Sequence, residues 1–319
     1  MKKIRNKDFR ILAKHSNINA SDLGVLLKSY CYPDRNSWIK TLQLSSLILA
    51  LGFMILGIVF FFAFNWDYMH KFSKLGIIQL LLLGGVGFIF LPKIPALYKK
   101  IALLLCSVLV GVLFAVFGQI YQTGANAYDF FLAWTILVSL WVFSSSFSPT
   151  WILYFALINI SIFLFRDQVM RDWNLPSVLS LLFLINILPV FICIYLNDFK
   201  KSSKIPLYFI QILSLAAFSF STFGIAYGIF VFENNGLSFL IGSAIIIYSL
   251  LFWYGFKFKR SFFLALVPFS LIVIGSNLLF KISDEWSMLL LITAFISIST
   301  ILLIRFISKF IKNTHEQSI

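Results

Sequence analysis

Ten stretches of this sequence, each 17 to 27 residues long, contain no Asp, Glu, Lys or Arg. They cover 42–64, 75–91, 101–118, 130–147, 149–165, 175–196, 206–232, 237–256, 262–280 and 288–304. A helix that crosses the hydrocarbon core of a bilayer needs about 20 predominantly apolar residues, and each run is of that order. The runs are continuously apolar rather than alternating, so they do not read as strands of a membrane barrel. Composition removes the remaining alternative, a large soluble core. Charged residues make up 12% of the chain and Phe alone contributes 38 of its 319 residues, whereas soluble domains carry about a quarter charged residues. The expected fold is all-α: a polytopic transmembrane helical bundle of about ten spans.

Lys and Arg counts between the runs give the expected orientation. Nine precede the first run, and the segments after the second, sixth, eighth and tenth runs each hold three. With both termini cytoplasmic, 21 basic residues lie inside and five outside. On hydrophobicity alone the stretch from Phe130 to Phe165 also reads as one long tilted helix. Merging it inverts everything downstream and weakens the split to 15 against 11. The segment Ser144-Ser145-Ser146-Phe147-Ser148-Pro149 also supplies break chemistry, because proline disfavours helix in the residue before it. A hairpin is therefore expected there. Acidic residues divide five inside and seven outside, so the net charge of +14 resolves into +16 on the cytoplasmic side and −2 on the other. The basic excess orients the chain and matches anionic headgroups. With no recognition motif beside it, it implies no nucleic-acid partner. The expected location is the bacterial cytoplasmic (inner) membrane, as a multi-pass protein.

Four regions follow: a basic cytoplasmic helical head (1–40), membrane helices 1–5 (41–174), membrane helices 6–10 (175–304) and a cytoplasmic tail (305–319). In the head, Phe9, Ile11 and Leu12 suggest a short helix, and Ser21 or Asp22 can cap a second through Leu23 to Tyr30. Its polar start does not read as a cleavable signal, so the first span is expected to serve as an uncleaved one. Cys31, Cys106 and Cys193 form no C-x-x-C, and His15, His70 and His315 have no metal-ligand spacing, so no metal or other cofactor is indicated.

Polar residues gather at two places, Phe64-Asn65-Trp66-Asp67-Tyr68-Met69-His70-Lys71 after the first run and Phe117-Gly118-Gln119-Ile120-Tyr121-Gln122-Thr123-Gly124-Ala125-Asn126-Ala127-Tyr128-Asp129 after the third. Under the expected topology both face outward. Asp67 and Asp129 supply carboxylates, Asn65, Gln119, Gln122 and Asn126 supply amides, and Trp66 and Tyr121 supply stacking faces for an external pocket. The same residues also read as helix punctuation. Gln119 to Thr123 can be a last turn with Gly124 in the left-handed terminating conformation. Asp67 or Asp129 can cap the helix that follows, and Trp66 can sit in the aromatic belt.

The string GQIYQTGANAYDFFLAW, with FAFNWDYM upstream, resembles an uncharacterised bacterial membrane-protein family, the domain-of-unknown-function family numbered 2157. The resemblance covers roughly residues 10–165. It implies that Trp66, Asp67, Gly118, Gln119, Tyr121, Gln122, Thr123, Gly124, Asp129 and Trp134 are characteristic positions, and it implies no activity. The candidate binding set is thus Asn65, Trp66, Asp67, Gln119, Tyr121, Gln122, Thr123, Gly124, Asp129 and Trp134.

Three classes of function remain. A non-catalytic scaffold, sensor or accessory protein needs only the external pocket, a small ligand or protein partner, and the basic inner face. A small-molecule or lipid transporter fits ten spans divided as a five-plus-five inverted repeat. The ten runs, however, carry no ionisable coupling residue, and their main amides (Asn159, Asn186, Gln211 and Asn277) suffice for helix–helix hydrogen bonds. An enzyme acting on a lipid-linked substrate through Asp67 would require a second converging acid or base. The first class asks least of the sequence and is the expected one, with no catalytic residue assigned.

Overall fold

The computed structural model describes residues 22, 35–65, 67–122, 124–200, 205–231, 236–282 and 286–316. The expected head helices therefore lie outside the described residues, Asp22 excepted. Among the described residues the long elements are ten α-helices and there is no strand: α1 Arg35–Asn65, α2 Lys71–Phe90, α3 Ala96–Tyr121, α4 Ala127–Ser144, α5 Ser148–Gln168, α6 Leu175–Ile194, α7 Leu207–Phe230, α8 Leu237–Lys257, α9 Ser261–Ile282 and α10 Trp286–Glu316. Each contains a segment long and apolar enough to cross a membrane. Packing divides the chain into two units, Met1–Lys74 and Leu75–Ile319.

The serine-rich break forms a hairpin. Helix α4 ends at Ser144, Ser145 and Phe147 are extended, and α5 starts at Ser148 with Pro149 in its first turn, where the missing N–H costs nothing. The Phe147 N–H donates to Ser145 Oγ at 3.2 Å, and the Trp151 indole donates to the Ser145 carbonyl at 3.2 Å. These bonds satisfy groups that two helix ends would otherwise leave bare in a thin connection.

Contacts between connections show that the helices of the second unit alternate in direction. At one end, Lys100 Nζ donates to Ser146 Oγ at 3.0 Å and Arg260 bonds Asp198 at 3.0 Å. At the other, the Tyr128 N–H donates to Gln168 Oε1 at 3.0 Å, and Lys281 Nζ reaches the Ile229 carbonyl. Each pair joins connections that an unbroken up-and-down path brings to the same side. A single merged helix over 130–165 is incompatible with these contacts.

The core of the second unit lies among α6 to α9, where Phe183, Ile187, Leu213, Phe218, Leu240 and Leu251 are at most 2% exposed. Helix α6 is apolar all round and is the most buried span, as expected of a helix surrounded by others. The outer surface is no less apolar: Leu140 is 71% exposed, Phe143 69% and Leu290 75%. A contiguous belt of this kind belongs against lipid. In lipid, apolar burial no longer favours helix association, so close packing and interhelical hydrogen bonds carry it. The pair Asn159–Asn186 supplies one such link between α5 and α6. Asn159 donates to Asn186 Oδ1 at 3.1 Å, Asn186 donates to Asn159 Oδ1 at 2.8 Å, and Asn186 also bonds the Leu182 carbonyl at 2.7 Å.

Candidate functional site

The Asn65–His70 segment belongs to the first unit and the Gly118–Asp129 segment to the second. In the first, Asn65 closes α1. Its carbonyl accepts the N–H groups of Tyr68 (3.2 Å) and Met69 (3.1 Å), and its amide donates to the Phe61 carbonyl at 2.9 Å. Asp67 lies exposed in the turn that follows, and Trp66 lies outside the described residues. His70 starts the next helix: its carbonyl accepts the Ser73 N–H at 2.9 Å and its ring lies 5.3 Å from that of Phe72.

The second segment is built around an unusual helix end. Helix α3 stops at Tyr121 because Gln122 enters the left-handed conformation, with φ 42° and ψ 50°. Gly124 is left-handed too, at φ 63°. The sequence points to Gly124 as the terminating residue, whereas the chain reverses two residues earlier on a glutamine. A left-handed L-residue costs roughly 1–2 kcal/mol relative to glycine. Gln also lacks the short side chain with which Asn or Asp offsets part of that cost. Helix α4 then begins at Ala127 on a capping pair: Asp129 Oδ2 accepts the Asn126 N–H at 3.1 Å, and the Asp129 N–H bonds the Asn126 carbonyl at 3.1 Å. The carboxylate also complements the positive end of the α4 dipole.

Between these two ends opens a cleft of about 590 Å³. Gln122, Gly124, Ala125, Asn126 and Asp129 line its polar side, and Phe114, Phe117 and Phe130 its aromatic side. Gly118 faces the cleft from α3 and Ala133 from α4, where small side chains keep the floor open. Phe114 and Phe130 meet edge to face at 6.4 Å. No Lys or Arg occurs from Phe117 to Asp129, so the polar side offers amides, backbone groups and a carboxylate.

The structure thus brings Gln122, Gly124 and Asp129 into one cleft. Gln119 and Tyr121 are exposed near it without lining it, and the Tyr121 ring lies against Phe117 at 4.6 Å. Thr123 lies outside the described residues. Trp134 is placed elsewhere: its indole N–H donates to the Ser107 carbonyl at 2.7 Å, and its ring covers Gly111. A Cβ at Gly111 would stand 2.4 Å from that ring, so this glycine is what lets α3 and α4 close around the indole.

A polar cluster that sequence reading passes over lies at the opposite end of the second unit. After α6 the backbone takes one π-helical turn, Tyr195–Phe199, closed by the Lys200 N–H on the Tyr195 carbonyl at 2.8 Å. The turn holds Asp198 where it accepts the Tyr254 hydroxyl and the Arg260 guanidinium. Asp198 is 15% exposed and Arg260 33%. Burial works against the Arg260 charge, but hydrogen bonding and attraction to Asp198 outweigh it, so its pKa is raised and the group stays charged. A sequence signal existed: Asp198 is the only acid between Asp172 and Glu233, beside a basic segment.

No curated protein and no solved structure matches the chain. Residues 12–151, which contain both motif segments, match the model of the family described as Predicted membrane protein (DUF2157), the same family that the GQIYQTGANAYDFFLAW string resembles.

Proposed function

We propose that this multi-pass membrane protein is a non-catalytic sensor or accessory protein. In this reading it resides in the bacterial cytoplasmic membrane with both termini inside. Its cleft between α3 and α4 opens on the external face and binds a neutral, hydroxyl-rich headgroup, as on a glycolipid. The observation that carries this reading is the left-handed Gln122 at the lip of a cleft that is polar on one side and aromatic on the other. Residues held in sparsely populated backbone conformations cluster at ligand clamps and active sites. The lining selects the chemistry. Amides and a carboxylate accept and donate to hydroxyls, aromatic faces cover the apolar side of a sugar ring, and the absence of Lys and Arg from 117–129 disfavours a phosphate. The cleft lies at the ends of two candidate spans, where a headgroup would stand. The basic opposite face would meet anionic lipid.

The test is competition for the full chain in lipid nanodiscs, read by native mass spectrometry. Digalactosyl diacylglycerol should be retained about tenfold more tightly than phosphatidylglycerol with the same acyl chains. Equal retention, or preference for the anionic lipid, rejects the reading.

A further inference from the structure

Near the middle of the α7, α8 and α9 spans, four hydroxyl groups form one connected chain. Ser221 Oγ donates to the Phe218 carbonyl at 3.1 Å and lies 2.8 Å from the Tyr248 hydroxyl. Tyr248 lies 2.7 Å from Ser270 Oγ, which lies 2.5 Å from Thr222 Oγ1. The Tyr248 ring is stacked on Phe218 at 4.3 Å and 6°, which fixes where its hydroxyl points.

Each hydroxyl has one proton to give, and Thr222 Oγ1 also lies 3.4 Å from the Tyr248 hydroxyl. In the arrangement in which Ser221 donates to the Phe218 carbonyl, Tyr248 donates to Ser221, Ser270 to Tyr248 and Thr222 to Ser270. That arrangement spends the Tyr248 proton on Ser221 and leaves the acceptor capacity of Thr222 Oγ1 for the cleft. Thr222 and Ser270 line a cleft of about 550 Å³ that Asn277 also lines. The Asn277 amide spends an N–H on the Val273 carbonyl at 2.8 Å, and its carbonyl oxygen receives no donor among the described residues. Apart from Ser219 and Tyr227 the rest of the lining is apolar, and it includes Phe223 (57% exposed) and Phe269 (59% exposed). These are spans with their outer faces in lipid, so the cleft opens sideways into acyl chains rather than to water.

We propose that this cleft binds a lipophilic alcohol: an apolar chain carrying a hydroxyl that donates to Thr222 Oγ1, with Asn277 a separate polar group about two helical turns further along α9. Depth sets a further requirement. Thr222 lies roughly half the ~30 Å hydrocarbon thickness below the surface, so the hydroxyl that meets it must be carried mid-chain. A hydroxylated acyl chain of a bilayer lipid and a free secondary alcohol share that chemistry. Both partners gain, because an unmet acceptor and an unmet hydroxyl in hydrocarbon are each costly. This site is separate from the α3–α4 cleft and does not depend on the reading given to it.

The experiment uses the full chain in phosphatidylcholine nanodiscs with two pairs of photoreactive probes. One pair is a phospholipid with a diazirine-bearing stearoyl chain, with or without a hydroxyl at carbon 12. The other is a diazirine-bearing octadecane, with or without a hydroxyl at carbon 9. Labelling of α7 and α9 is quantified by mass spectrometry. The hydroxylated member should label about three- to fifteenfold more strongly, the range that interhelical hydrogen bonds span in membranes. Thr222→Val should abolish the preference and Thr222→Ser restore it. A preference confined to the phospholipid pair assigns the bilayer lipid, and one shown by both pairs, or by the octadecane pair alone, admits the free alcohol. Equal labelling with and without the hydroxyl in both pairs overturns the proposal, whatever the variants do.

Discussion

Gln122 shows what one residue can disclose and what it can hide. Its neighbour Gly124 carries the usual signature of a left-handed helix end, so the sequence directs attention two positions too far along. Nothing local in the string marks a glutamine for φ 42°. The substitution Gln122→Gly separates strain from function. It should leave the turn intact and raise the melting temperature in detergent, by an amount equivalent to about 1 kcal/mol, while digalactosyl lipid retention falls. A stabilised variant that keeps full retention would mean the side chain has no part in binding. Trp134 teaches the complementary lesson. Its place is settled by Gly111, 23 positions earlier, and no reading of the GQIYQTG segment alone reveals that pairing. Gly111→Ala should destabilise by roughly 1–3 kcal/mol through overpacking, measurable as a lowered denaturation midpoint. A neutral substitution would show that α3 and α4 do not close on the indole as described.

At the scale of elements, the charge-free runs anticipated the ten helices because hydrophobicity and length are local properties that lipid enforces. The hairpin at Ser144 to Pro149 was legible for the same reason, reinforced by loop charge. The end of α6 was not. A window that stops at the last uncharged residue excludes Asp198, yet a π-helical turn carries the backbone past it and buries it against Tyr254 and Arg260. Interhelical polar pairing was foreseen in kind from Asn159 and Asn186, but their mutual partnership needs three dimensions. A double-mutant cycle with Asn159→Leu and Asn186→Leu should give a coupling energy of about 0.6–1.7 kcal/mol. Strict additivity of the two changes would show that the amides do not hold α5 to α6.

For the whole molecule, the physical content of the sequence is mostly a statement about its solvent. Sixty per cent apolar residues and an outer surface of exposed Phe, Leu and Ile leave lipid as the medium. Within the second unit the helices alternate, so its connections fall at two ends. One end carries Lys93, Lys99, Lys100, Lys200, Lys257, Lys259 and Arg260 with Asp198, and the other carries Arg166, Arg171 and Lys281 with Asp129, Asp167 and Asp172. In the reading proposed above, that asymmetry and the count of 21 basic residues against five are the grounds for an external α3–α4 cleft. A headgroup sensor for an external ligand requires its cleft to face outward. The direct measurement is labelling of single cysteines with a membrane-impermeant maleimide in intact cells, in a Cys31→Ser background that keeps the buried Cys106 and Cys193. Ala125→Cys at the cleft should react without permeabilisation, and Lys259→Cys only after it. The reverse pattern would contradict the external cleft and the function proposed for it.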